Sequence, residues 1–266
     1  MTSSPSMEAN VVLAVAARDV LRLSRDWKNT VTFAVFFPVA FLGILAGTIG
    51  QNLGADLGFD YLQFALLGMS ACLLMMFTTM SVTLLVEERE TGFSQEVFIS
   101  PTSRVSIFLG KILGGSVAGL VSLPSLFLVA FAIGVPITLS LIGVLLLIAP
   151  VFCFMGGAFG VLLSGVFGTN PKAVDQAAIL TMFPQMFLSG AIVPIRSSSG
   201  ALYVLVRLMP LTYLVDLVRG AFYQGTTTYG QVVLYDPLID LAISIALSVS
   251  FLVAGMILFV RGERNR

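Results

Sequence analysis

The chain has 266 residues, of which 57% are hydrophobic and only 11% charged; a water-soluble core could not hide so much apolar side chain, and soluble domains carry roughly 25% charged residues. The formal net charge of zero gives no bulk attraction to nucleic acid, and the absence of histidine removes the commonest general base, proton relay and metal ligand together. At about 20 apolar residues per span, the chain has room for five to seven membrane helices and no soluble domain of ordinary size.

Residues 1–6 read as a disordered tail, and no secretory signal is expected because the first apolar run starts only at Val31. Between residues 10 and 27, Val11, Val12, Val15, Leu21 and Leu23 mix with Arg18, Asp19, Arg22, Arg25 and Asp26. This pattern predicts an amphipathic helix lying in the headgroup region, with Trp27 and Lys28 as interface anchors. The chain thus divides into a tail and interfacial helix over 1–30 and a single transmembrane domain over 31–266. Six spans are expected, at about 31–50, 61–86, 106–133, 139–167, 174–193 and 237–260, so the fold class is an all-α membrane protein. Pro38 is tolerated within the first span, and Gly134-Val135-Pro136 marks the turn between the third and fourth. Cys72 and Cys153 lie inside apolar runs and read as small buried hydrophobes, not a redox pair.

The stretch 199–223 is too polar for a span, with Arg207, Asp216 and Arg219, yet Leu202, Leu205, Leu208, Leu214, Leu217 and Phe222 are apolar. A re-entrant helical hairpin broken at Pro210 would bury those faces, and Asp216 and Arg219, three apart, are expected to pair. The functional reading is an outer gate built on Pro210, Tyr213, Asp216 and Arg219. The plainer alternative is a surface amphipathic helix with no gating role.

Orientation follows from the basic residues. Six spans put eleven of the fourteen Lys and Arg on one side and leave only Arg196, Arg207 and Arg219 on the other, which predicts a multi-pass protein of the cell membrane with both termini cytoplasmic. The cytoplasmic segment 87–105 is the densest in charge. Thr91 is a candidate N-cap and Pro101 a helix stop, and between them Phe93, Val97 and Phe98 form an apolar patch suited to docking a cytoplasmic partner. An ordinary solvated loop is the alternative from physics alone.

Residues 87–111 read E-E-R-E-T-G-F-S-Q-E-V-F-I-S-P-T-S-R-x5-G-K; residues 183–194 contain P-Q-M-F-L-S-G-A-I-V-P; residues 210–219 read P-L-T-Y-L-V-D-L-V-R; and 59–68 carry F-D-Y-L-Q-F-A-L-L-G. In this order the four segments resemble the permease subunits of type-2 ABC exporters over nearly the whole chain. Met209 stands where that family usually has Asn, and 197–200 replaces a stretch that often holds a second proline. The resemblance implies a permease that pairs with a second, identical or different, permease subunit above a dimer of cytoplasmic ABC ATPase subunits, surrounded by membrane lipids. The sequence has no G-x-x-x-x-G-K-[S/T] loop, so ATP and Mg would be used by the partner ATPase and no cofactor is expected on this chain. Glu87, Glu88, Arg89, Glu90, Thr91, Gly92, Phe93, Val97, Phe98, Ser100 and Pro101 would couple ATPase closure to the spans, helped by the N-terminal helix.

The path itself is expected along spans two and five, at Met75, Met76, Phe77, Met182, Phe183, Met186 and Phe187. No charged residue is expected inside a span apart from Asp240, which favours a hydrophobic or amphipathic cargo such as a drug, antibiotic, polyketide or lipid. Met and Phe at helical spacing also serve simple packing. A polysaccharide or lipid-linked glycan exporter is the alternative within transport, and a non-transporting anchor of a signalling or assembly complex is the alternative from another class. An ion-coupled carrier is disfavoured by the scarcity of intramembrane acids.

Overall fold

The computed structural model describes residues 5–53, 58–90, 103–168, 170–195 and 200–264, and among them every regular element is a helix. Helix α1 (Pro5–Arg25) starts five residues before the expected position; a proline lacks the N–H that a helix start leaves unpaired anyway, so Pro5 is well placed there. Asp26 interrupts the run, and α2 (Trp27–Pro38) continues through a π-helical stretch, Val39–Ala46, into α3 (Gly47–Leu53). Pro38 explains both the π-helix and one contact with a neighbour. Its missing N–H leaves the Ala34 carbonyl without its helical donor, and the Ser125 hydroxyl donates to that carbonyl at 2.6 Å. The backbone then widens directly after the proline.

Helix α4 (Tyr61–Glu90) outruns its expected end at 86 and carries Glu87 to Glu90 as its last turn. Helices α5 (Arg104–Ala132) and α6 (Leu139–Phe167) fall within two residues of expectation, because Ser103 and Thr138 cap them, each accepting a backbone N–H at 3.2 Å. Helix α7 (Pro171–Leu188) is capped by Asn170, which accepts from Lys172 N at 3.0 Å, and stops five residues short of the expected 193 because Gly190 takes a φ of 80°. Three shorter helices follow, α8 (Ala201–Leu208), α9 (Pro210–Phe222) and α10 (Tyr229–Val232), before the long α11 (Pro237–Arg264).

Among the described residues, five segments are long and apolar enough to cross a membrane: Trp27–Asn52, Tyr61–Glu88, Arg104–Ala132, Leu139–Phe167 and Tyr229–Gly262. Helices α8 and α9, bent by 82° at their junction, raise the count to six if taken as one broken span. The 18-residue α7, expected as a span, does not reach the same length and apolarity.

The α4 window is 83% buried within the chain, whereas those of α2–α3 and α11 are 28% and 22% buried. Helix α4 is therefore the axis, ringed by α5, α6, α7 and α9, and the outer helices turn apolar faces away from the protein. The ring closes tightly where side chains are small. Thr79 of α4 donates to the Gly156 carbonyl of α6 at 2.8 Å, and a Cβ on Gly255 of α11 would lie 2.6 Å from the Leu162 nitrogen of α6. Small residues that let backbones meet are what holds helices together where water supplies no hydrophobic drive.

Candidate functional site

The bundle has an α1 end, where α1, the close of α4 and the start of α5 meet, and a far end. At the α1 end the helices are joined by charge. Glu88 accepts from Arg22 at 2.7 Å, Arg18 at 2.8 Å and Lys111 at 2.9 Å. Lys111 also donates to Asp19 at 3.2 Å, and Arg18 to Asp19 at 2.7 Å. The Lys111 side chain is 2% exposed and those of Asp19 and Glu88 6% and 10%, so these groups have left water and depend on the partners they keep. For Arg18, burial works to lower its proton affinity, but the hydrogen bond to Asp19 and the charges of Glu88 and Asp19 hold it above the ordinary guanidinium value. Glu8 adds a second tether, accepting from the hydroxyls of Ser103 and Ser106 at 3.1 and 2.9 Å. Gly110 and Gly114 make the approach of α1 possible: a Cβ on them would stand 2.7 Å from the Cβ of Val15 and of Asp19 respectively.

Of the expected coupling residues, Glu87, Glu88, Arg89 and Glu90 lie on the last turn of α4, and Glu88 is the hub of this network. Thr91, Gly92, Phe93, Val97, Phe98, Ser100 and Pro101, with the short helix expected over 92–99, lie outside the described residues. The expectation that Asp240 is the only charge in a span is corrected: Lys111 sits within the span of α5, and Asp175 lies in α7, where a fifth span was expected. A single lysine seven residues into an apolar helix, needing an acid from another segment, was the readable signal for this cluster.

Beside it, an open cleft of about 450 Å³ has Asp19, Arg22, Glu88, Lys111 and Asp175 on its walls, with Leu23, Phe77, Met80 and Leu84 giving it a larger apolar part. It shares Met80 and Ile179 with an apolar groove of about 180 Å³ between α2, its π-helical continuation, α4 and α7. Met76, Met182, Phe183 and Met186, all expected on the path, line the groove. Phe77 lines the cleft and meets Phe33 edge-on at 6.0 Å. Phe187 lies 6.4 Å from Phe41, and Met75 is fully buried on the turn of α4 that meets Gly156. Sequence reasoning missed the other wall, Phe33, Phe37 and Phe41. Their four-residue spacing puts three rings on one helix face, and the centroids are 6.2 and 4.5 Å apart.

At the far end three of the four quoted motifs converge on Arg219. Its guanidinium lies 3.4 Å from the centroid of the Phe64 ring and donates at 3.1 Å to both the Phe64 and the Ala191 carbonyls. Tyr61 donates to the Ile192 carbonyl at 2.8 Å alongside. Asp216 accepts from Leu234 N at 2.8 Å and Tyr235 N at 2.7 Å. The expected Asp216–Arg219 ion pair is therefore replaced by two separate sets of backbone partners. Pro210 opens α9 at the bend, and Tyr213 donates to the Arg207 carbonyl at 2.8 Å, lacing α9 to α8. Among the described residues no cluster of three or more Cys, Asp and Glu could hold a metal ion.

The profile of the ABC-2 type transporter family matches residues 10–223, from α1 through α9. The chain belongs to that family. Among its relatives, the inner membrane transport permease YadH of Escherichia coli K12 is 25% identical over 237 residues, covering 84% of this chain and 88% of its own. Nodulation protein J of Rhizobium meliloti is 26% identical over 189 residues, 68% of this chain and 70% of its own. The permease YhhJ of E. coli K12 is 27% identical over 143 residues, 53% of this chain and 38% of its own. Family membership and the span-length apolar helices make this chain a multi-pass membrane permease of the ABC transporter class.

Proposed function

We propose that the chain is the membrane subunit of an ATP-driven exporter, with both termini cytoplasmic, and that it moves a hydrophobic or amphipathic cargo such as a drug, antibiotic or lipid. The observation that carries the reading is the groove of Phe33, Phe37, Phe41, Met76, Met182, Phe183 and Met186, which adjoins the cleft at the α1 end through Met80 and Ile179. Thioethers and rings adapt to varied apolar shapes without demanding matched hydrogen bonds. The mixed-charge cavity offers a place for a polar head. A separate ATPase dimer supplies the energy from ATP and Mg, a second permease subunit completes the path, and the α1–α4–α5 ion network makes α1 and the ends of α4 and α5 move as one body when the ATPase closes. The bent α8–α9 pair acts as a re-entrant outer gate.

The test is ATPase stimulation in purified transporter reconstituted in lipid. Apolar amphiphiles are expected to stimulate wild type, and Met182→Trp, which fills the groove, is expected to abolish the effect while leaving basal turnover. Stimulation by sugar polymers alone, with amphiphiles inert, would overturn the cargo class and favour a glycan exporter.

A further inference from the structure

One carboxyl at the far end has no role in the foregoing. Asp240, in the first turn of α11, is completely buried, and among the described residues neither of its oxygens has a hydrogen-bond donor. Asp216 on α9 holds the 234–235 backbone just ahead of α11, and α9 packs against α11, which brings its carboxyl beside that of Asp240. We infer that these two acids form a proton-binding site, with one proton held on Asp240 and donated to Asp216.

The donors decide which partner is the anion. Asp216 is 2% exposed and accepts the N–H groups of Leu234 and Tyr235 through both of its oxygens, an arrangement that stabilises a carboxylate and offers nothing to a carboxylic acid's O–H. Asp240 has the reverse surroundings. No donor approaches it, so as an anion it would be a desolvated charge without a partner, whereas as an acid its own O–H supplies the missing hydrogen bond to Asp216. Two carboxylates in contact cannot both stay ionised in a dry site.

The neighbouring charges do not change this. On α9, Arg219 is committed to two carbonyls and the Phe64 ring, and Tyr213 donates to the Arg207 carbonyl. On α8, Arg207 stacks on Tyr203 at 3.9 Å, and it also lies over the Tyr235 ring. Asp236 caps α11 by accepting from Leu238 N at 2.8 Å and brings a further negative charge, with Tyr229 of α10 behind it. Tyr61, from α4, donates to Ile192, and α6, packed along α11, has no ionisable side chain except Cys153.

The bound proton joins α9, the 234–235 backbone and α11. Its loss leaves two facing anions, and the joint weakens. This step rests on the reading of α8–α9 as an outer gate: external acid would keep the gate shut and external alkali would free it. Asp240→Asn replaces the dissociable O–H by an N–H that can still donate to Asp216.

Difference infrared spectroscopy of the purified protein in lipid vesicles, taken between acid and alkaline buffers, tests the site without knowledge of cargo or ATPase. The expected result is a protonated-carboxyl C=O band that disappears as pH rises, is lost in Asp240→Asn and is shifted in Asp216→Asn. No such band at acid pH, or one that survives Asp240→Asn, would overturn the proposal, as would a band displaced by sodium at constant pH. A second measurement isolates the gate. Leu234→Cys is labelled from outside with a membrane-impermeant maleimide, the two native cysteines being buried. Labelling should rise with pH and become pH-independent when Asp240→Asn is added. A titrating band with labelling that ignores pH keeps the proton site and discards the gate.

Discussion

The two ends of the bundle neutralise buried charge by opposite means. At the α1 end, side chains neutralise side chains: Lys111, Glu88, Asp19, Arg18 and Arg22 form one network across three helices, and its arginines still reach water. At the far end, backbone neutralises side chains: Arg219 is spent on carbonyls and Asp216 on N–H groups. A side-chain network can exchange partners and be hydrated when helices separate, which suits a joint that transmits motion. Backbone partners are fixed by the helices and loops that present them, so the far end is tied to one geometry unless a proton or a strain releases it.

The largest effect should come from breaking the first arrangement at its hub. Glu88→Ala leaves Lys111 buried with Asp19 as its remaining acid and removes the close contacts of both arginines with α4, a loss of about 3 kcal/mol, the low end for breaking a buried ion pair because Asp19 still faces the lysine. Thermal unfolding in detergent should show it. Adding Lys111→Met, which removes the stranded cation while filling its volume, should recover most of the loss. If the double variant is as unstable as Glu88→Ala, the lysine is not the source of the cost. Exchange of partners also predicts that Glu88→Asp, too short to hold three cations at once, retains assembly with the ATPase but lowers transport-coupled turnover.

Breaking the second arrangement should cost less. Arg219→Lys keeps the charge but replaces the planar group over Phe64 with a compact ammonium that cannot cover the ring and reach both carbonyls at once. With one carbonyl left short of a donor, the loss is roughly 1–3 kcal/mol, and because the partners are backbone, 1 M salt should not change it. The α1-end network, with part-exposed arginines, should weaken measurably in the same salt. Equal salt sensitivity at both ends would contradict the comparison.

Much of this was legible in the chain and some was not, for physical reasons. The bounds of α5 and α6 were readable because caps and turn residues flank uncharged runs. The start of α1 was not, since Pro5 and Glu8 sit in a polar segment with no apolar period. The groove was half readable. Met76, Met182, Phe183 and Met186 stood out by softness, while the Phe33, Phe37 and Phe41 ladder passed as ordinary span filling. The partners of Arg219 were beyond reach, because a carbonyl has no sequence signature and these two lie 155 and 28 residues away. The pairing expected from three-residue spacing lost to them, since the Ala191 carbonyl past the end of α7 needs a donor and Arg219 carries several.

The smallest expected effect marks the rim of the α1-end network. Glu87 is next to Glu88 but 58% exposed, and its contact with Arg22 is 3.8 Å long. An exposed pair of that length is worth about 0–1 kcal/mol and is screened by salt. Arg22 loses little when Glu87 goes, because its 2.7 Å contact with Glu88 remains. Glu87→Ala should therefore leave unfolding within about 0.5 kcal/mol of wild type. It also removes an acid facing Asp175, so any change it makes should appear at that residue and not at Lys111. A loss comparable to Glu88→Ala would mean that the ionic joint extends past the end of α4, and that the boundary drawn between the buried hub and its solvated rim is in the wrong place.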